Sequence, residues 1–256
     1  MDKNYKNALI EKLTTRFDYL PLEPQFWLLV DPDKKSEGEL ADMASIAENA
    51  GVDAFLVGSS ILIRENIDFA VKVLKDNSNL PVIIFPGNSE QVSHYADALL
   101  FLTLLSSRNV RWLVEEQVFA APKVKKAGIP VIPTGYILVD SGNLTSVGFF
   151  SSTPPIPSNK PDIAVAHALA AQYMGMHAVF LEAGSGAKNA VPIDILKEVR
   201  DSINIPIIVG GGVKEPSQAY ERAKFADVVV VGTAFEEKGG EELLGAFARA
   251  IHNARK

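Results

Sequence analysis

The chain contains no cysteine. Disulfides, thiolate nucleophiles and Cys-ligated metals are therefore excluded. Its four histidines, His94, His167, His177 and His252, are scattered and show no metal-ligand spacing. Positive charge is not in excess: the formal net charge is -6 and the pI about 5.3. Nonspecific nucleic-acid binding needs a basic footprint, so no nucleic-acid partner is expected. No apolar run reaches the length of a membrane span, so no transmembrane segment is expected. Residues 1–12 are charged and lack the apolar centre of a signal peptide. The expectation is a cytoplasmic enzyme.

What is present is ordinary for a globular fold: 256 residues, 47% hydrophobic and 22% charged. That length fits one α/β barrel or two small domains. Residues 4–20 carry apolar positions at helical spacing (Leu9, Leu13, Phe17) and stop at Pro21 and Pro24. Residues 26–30 are then apolar without alternation, the pattern of a strand buried on both faces. Similar short runs recur at 53–57, 81–85, 98–102, 130–139, 177–181, 206–209 and 227–231. Helical stretches are predicted at 36–49, with Ser36 and Glu39 as a capping box, and at 62–75, 110–126, 162–174, 192–202, 215–224 and 241–250. Pro122 is expected to distort the third of these. Residues 140–160 read as a long Gly/Ser/Pro-rich wall or lid.

Eight strands alternating with helices predict a parallel sheet closed as a (β/α)₈ TIM barrel, with residues 1–256 as one domain and 1–25 as an N-terminal helical extension. An open doubly wound sheet is the alternative. The first strand-to-helix turn lacks the G-x-G-x-x-G fingerprint that would favour it.

In such a barrel the C-terminal strand ends share one rim, so polar residues there are the functional candidates. They are Asp31 and Asp33, Ser60, Asn109, Tyr136, Glu182, Gly210-Gly211-Gly212 and Gly232-Thr233. Glu182 ends the sixth strand, and Gly184-Ser185-Gly186 follows it. Glycines let the backbone approach an anion and present N–H groups to it. The plainer reading is a turn beside an exposed acid, but the glycines after strands seven and eight sit where barrels commonly hold phosphate. Across the mouth, Asp31 suits Mg²⁺, which takes one or two carboxylates with water and phosphate oxygens. Ser60 could add a hydroxyl or merely cap a helix. Asp33 and Lys34 could equally be a solvated turn. A subset of Ile61, Leu62, Phe85, Phe101, Leu104, Leu105, Trp112, Val139, Phe149 and Phe150 could line an apolar groove.

Val30-Asp31-Pro32-Asp33-Lys34, Val57-Gly58-Ser59-Ser60, Ser106-Ser107-Arg108-Asn109, Pro133-Thr134-Gly135-Tyr136, residues 180–187, the triple glycine and Gly232-Thr233 together resemble the geranylgeranylglyceryl phosphate synthase family. That resemblance implies a prenyltransferase on a (β/α)₈ barrel. It implies Mg²⁺-dependent transfer of a geranylgeranyl group from its diphosphate to the C3 hydroxyl of sn-glycerol 1-phosphate, a step of ether-lipid synthesis. Asp31 and Ser60 match the metal positions. Phe180, Leu181, Glu182, Ala183, Gly184, Ser185 and Gly186, with Tyr136, Gly210, Gly211, Gly212, Gly232 and Thr233, match substrate positions. Glu182 matches the residue that takes the hydroxyl proton. A homo-oligomer, dimer or hexamer, and peripheral contact with membrane lipid are implied as well. Phe180 stands where the family often has Tyr, Ser59 where Gly is common, Val110 where Pro is common, and Thr233 where Asn is frequent. The competing readings are a sugar-phosphate isomerase or aldolase barrel, for which no strand ends in an interior Lys, and a barrel that binds phosphate or lipid without catalysis.

Overall fold

A computed structural model describes residues 23–63, 66–232 and 240–255. The predicted helix at 4–20 and the site candidate Thr233 lie outside the described residues.

Eight strands form one closed, all-parallel barrel in sequence order: β1 (Gln25–Val30), β2 (Ala54–Val57), β3 (Val82–Ile84), β4 (Ala98–Leu104), β5 (Val131–Leu138), β6 (Ala178–Glu182), β7 (Ile207–Gly210) and β8 (Val228–Val231). β1 pairs with both β2 and β8, which closes the ring. The fold is the predicted (β/α)₈ TIM barrel. Unbroken apolar strands follow from burial on both faces. Trp27, Leu56, Ile83, Leu100, Phe180 and Ile208 fill the barrel interior, while Phe26, Leu28, Phe55, Leu181 and Val209 pack outward against helices. At about 25 cal/mol per Å² of apolar surface removed from water, these two layers are the main stabilising term.

Among the described residues the α-helices are α1 (Glu37–Ala50), α2 (Ile67–Asn77), α3 (Glu116–Ala127), α4 (Ser146–Ser151), α5 (Pro161–Tyr173), α6 (Ile193–Ser202), α7 (Pro216–Ala223) and α8 (Glu241–His252). The capping box forms as predicted: Ser36 Oγ accepts from the Glu39 N–H, Glu39 reaches back to the Ser36 N–H, and Gly51 closes α1 in the left-handed region.

Four differences from the sequence reading matter. Strict alternation fails: residues 85–97 join β3 to β4 by turns with no helix. α2 starts at Ile67 rather than 62, because the Asn66 side chain accepts from the Asp68 N–H and caps it. The helix predicted from 110 is distorted at its start, not only at Pro122: Arg111–Glu115 is a π-turn. Gln117 Nε2 donates to the carbonyls of Trp112 (3.1 Å) and Leu102 (2.5 Å), so a side chain takes bonds the turn leaves open and ties it to β4. Finally, the wall at 140–160 holds helix α4, and a bridge joins Val139 to Ile156.

Candidate active site

A cavity of about 420 Å³ opens at the C-terminal rim. Asp31, Asp33, Ser59, Ser60, Tyr136, Glu182, Ser185 and Gly232 line it, together with Phe85, Leu100, Phe101, Leu104, Trp112 and Phe150. Residues far apart in sequence are thus gathered into one site, as parallel strand ends require.

Glu182 is the last residue of β6 and is only 5% exposed. Its Oε1 accepts from the Gly184 N–H at 2.5 Å. Burial drives its pKa up from 4.5 to about 7, against the opposing Gly184 bond. A carboxylate poised there suits a general base at neutral pH. Gly211 explains how the acid fits. It has φ of +80°, and a Cβ on it would lie 2.5 Å from Glu182 Oε1 and from the Gly184 nitrogen. Only glycine lets the β7 turn pass this close beneath the carboxylate.

The N–H groups of Ser185, Gly186, Gly211 and Gly212 have no hydrogen-bond partner among the described residues. They belong to two neighbouring loops, since β6 and β7 pair with Glu182 opposite Gly210. Such amides can cradle an anion. Not all of residues 180–186 act through side chains. Phe180 and Leu181 are fully buried, the first inside the barrel and the second under the helices, and neither lines the cavity. Phe180 instead supports the wall: its ring stacks on Phe85 at 5.1 Å, and Tyr136 meets both edge-on at 5.5–5.6 Å. Burial, and then the nearby Glu182 charge, hold the Tyr136 phenol well above its usual range, so it stays protonated.

Across the cavity, Asp31 directly follows β1, caps the short turn Pro32–Lys34 and is mostly buried. Its Oδ1 accepts from the Asp33 N–H at 3.2 Å and its Oδ2 from the Ser59 hydroxyl at 3.3 Å. Ser60 lines the same cavity, but the hydroxyl that reaches Asp31 is that of Ser59. Asp33 Oδ2 accepts from the Ile63 N–H at 2.6 Å and so holds the β2 loop. Gln91, which the sequence reading passed over, fixes Ser59: it accepts from the Ser59 and Gly87 N–H groups and donates to the Ser59 carbonyl at 2.7 Å. A lone Gln in a turn-rich segment gives no sequence signal for that role. Among the described residues no three His, Cys, Asp or Glu cluster as a complete metal cage. One carboxylate with an adjacent hydroxyl does fit Mg²⁺, which takes its other ligands from water and substrate oxygens.

The apolar part of the cavity runs outward where the helix between β3 and β4 is missing. Leu99 and Phe101, on the outer face of β4, line it beside Val92, Gln117 and Ala120. Of the apolar candidates, Ile61, Phe85, Phe101, Leu104, Trp112 and Phe150 reach this cavity, whereas Val139 and Leu105 pack into the core and Phe149 faces solvent.

A closed parallel barrel with one buried acid, a glycine cradle and an apolar channel on a single rim defines a (β/α)₈-barrel enzyme with its site at the strand C-termini. Comparison with known proteins narrows the class. The profile of the PcrB family matches residues 21–251, and the chain belongs to that family. It is 43% identical over 230 residues to a geranylgeranylglyceryl phosphate synthase of Chitinophaga pinensis, covering 90% of each chain. It is 45% identical over 210 residues to the synthase of Methanosphaera stadtmanae, covering 82% of this chain and 86% of that one. Among solved structures it resembles (S)-3-O-geranylgeranylglyceryl phosphate synthase of Thermoplasma acidophilum in complex with its substrate sn-glycerol-1-phosphate. That match has a TM-score of 0.87 and 34% identity, and covers 98% of this chain and 99% of the other.

Proposed function

We propose that this prenyltransferase moves a geranylgeranyl group from geranylgeranyl diphosphate to the C3 hydroxyl of sn-glycerol 1-phosphate. The observation that carries the proposal is the position of Glu182, between unpaired loop amides on one side and an apolar channel on the other. The relatives' names and the Thermoplasma complex support the same reading.

The amides of residues 185–186 and 211–212 hold the glycerol phosphate. Its free C3 hydroxyl then lies at Glu182. The channel past Phe85, Leu100, Phe101 and Trp112 takes the prenyl chain and excludes water, which would otherwise capture the allylic cation. The C3 oxygen bonds to prenyl C1 as the C1–O bond to diphosphate breaks, and Glu182 takes the hydroxyl proton. The Phe85 and Tyr136 rings beside this point present π-density to developing positive charge. Asp31, with Ser59 and Ser60 at its side, would hold Mg²⁺, which when bound neutralises charge on the diphosphate.

The direct test is incubation of the protein with labelled sn-glycerol 1-phosphate and prenyl diphosphates of several lengths, with and without Mg²⁺. A labelled, lipid-soluble ether phosphate formed only with Mg²⁺ is expected. No product with any donor would refute the reading.

A further inference from the structure

Arg222, on α7, is a buried cation with no carboxylate to meet it among the described residues. It is only 9% exposed. Its Nη1 donates to the Gln218 carbonyl at 3.0 Å and its Nη2 to the Val191 carbonyl at 2.9 Å. Its Nε has no partner among the described residues. Neighbouring Glu221 is half exposed and pairs with Lys224 instead, at 2.7 Å. Arg200 and Arg255 also reach inward, but both meet the buried Asp227 at 3.0 Å. Burial pulls the Arg222 pKa down, and the charge of Glu221 does not make up the difference. A guanidinium keeps its proton all the same. The fold therefore carries a desolvated positive charge, and such charges are as a rule paired.

Its position says what would balance it. The Val191 carbonyl belongs to the loop after β6. Residues 189–190 of that loop lie directly against the β7 turn: a Cβ on Gly212 would be 2.6 Å from the Asn189 carbonyl and 2.7 Å from the Ala190 nitrogen. Gln218, whose carbonyl takes the other bond, caps the segment that leaves the turn. Its Oε1 accepts from the Lys214 and Glu215 N–H groups at 2.8 and 3.3 Å. Arg222 is thus tied to both loops that carry the open amides of residues 185–186 and 211–212. We propose that Arg222 is a positioning residue of this cradle: its charge balances the phosphate of glycerol phosphate bound to those amides, and its two bonds hold the loops that present them. Attraction through the protein interior is weakly screened, so a guanidinium that never touches the phosphate still favours it. The proposal rests on the phosphate half of the reading above and does not depend on prenyl transfer.

The test is calorimetric titration of the full chain with sn-glycerol 1-phosphate, beside thermal melts and steady-state kinetics, for the wild type, Arg222→Met and Arg222→Lys. Met keeps an unbranched apolar stem without the charge, and Lys restores the charge. Arg222→Met should weaken glycerol phosphate binding by about tenfold or more and raise its KM as much, with kcat and the KM for prenyl diphosphate within about twofold of wild type. Its melting temperature without ligand should be no lower than that of the wild type, because the variant sheds an unpaired buried charge. Arg222→Lys should recover most of the binding. A Met variant that binds as tightly as the wild type overturns the proposal. So does one that melts lower and weakens both substrates alike, or a Lys variant no better than Met; each would leave Arg222 a packing residue. Weaker binding by Arg222→Met in a protein that forms no ether product would remove the proposed reaction and uphold the Arg222 assignment. A wild type that binds no glycerol phosphate overturns both.

Discussion

Replacing Glu182 by Gln should make the protein less active and more stable at once. The folded-state pKa of Glu182 is about 7 against a usual 4.5, because burial penalises the charge. At 1.36 kcal/mol per pKa unit, holding the ionised carboxylate in the fold costs about 3 kcal/mol. A raised folded pKa means that stability is fully present below pH 4.5 and is lost as pH rises through about 7. The neutral amide escapes that loss, and its carbonyl can still accept from the Gly184 N–H. At pH 8 the variant should therefore unfold about 6–12 °C higher than the wild type, given roughly 2–4 °C per kcal/mol for a chain of this size. At pH 5 the carboxyl is largely protonated, and most of the gain should vanish. Turnover should fall by about 10²–10⁴, the usual contribution of a general base. Thermal melts at both pH values and initial rates at saturating substrate measure all three effects. Equal melting temperatures at pH 8, or an equal gain at pH 5, would show that Glu182 is not a strained buried acid. Unchanged turnover would remove it as the base.

Further outcomes follow from the same geometry. The wild-type kcat/KM should rise about tenfold per pH unit below about 7 and level off above it, since the base must be ionised; a flat profile from pH 5 to 8 would contradict the assignment. Asp31→Asn should raise the Mg²⁺ concentration needed for half-maximal rate by at least tenfold, and an unaltered titration would count against Asp31 as the metal carboxylate. Gly211→Ala should lower stability by about 1–3 kcal/mol, through positive φ and the contact with Glu182 and Gly184, and should abolish most turnover. Wild-type melting and rate would mean that the β7 turn is not packed against the acid.

The barrel was legible because each parallel strand is buried on both faces and so reads as an unbroken apolar run, as at residues 26–30. Caps were legible where the partner lies nearby in sequence, as with Ser36 and Glu39. The rim was legible in outline, because chain direction alone puts Asp31, Glu182 and the glycine turns on one end. What was hidden depends on contacts distant in sequence. The π-turn at Arg111–Glu115 is stabilised by Gln117 reaching the Leu102 carbonyl, and no local pattern announces it. Ser59, rather than Ser60, bonds Asp31 because Gln91 fixes the Ser59 backbone from another loop. The outer part of the channel lies where residues 85–97 form no helix, beside half-buried Phe101 and buried Leu99.

The central claim is that the two substrates meet at Glu182, with phosphate on one side and prenyl chain on the other. A crystal structure of the protein soaked with sn-glycerol 1-phosphate tests it most directly. The phosphate should accept hydrogen bonds from the N–H groups of residues 185–186 and 211–212, with the C3 hydroxyl on the Glu182 carboxylate. A phosphate bound at Asp31, or a C3 hydroxyl turned away from Glu182, would contradict it.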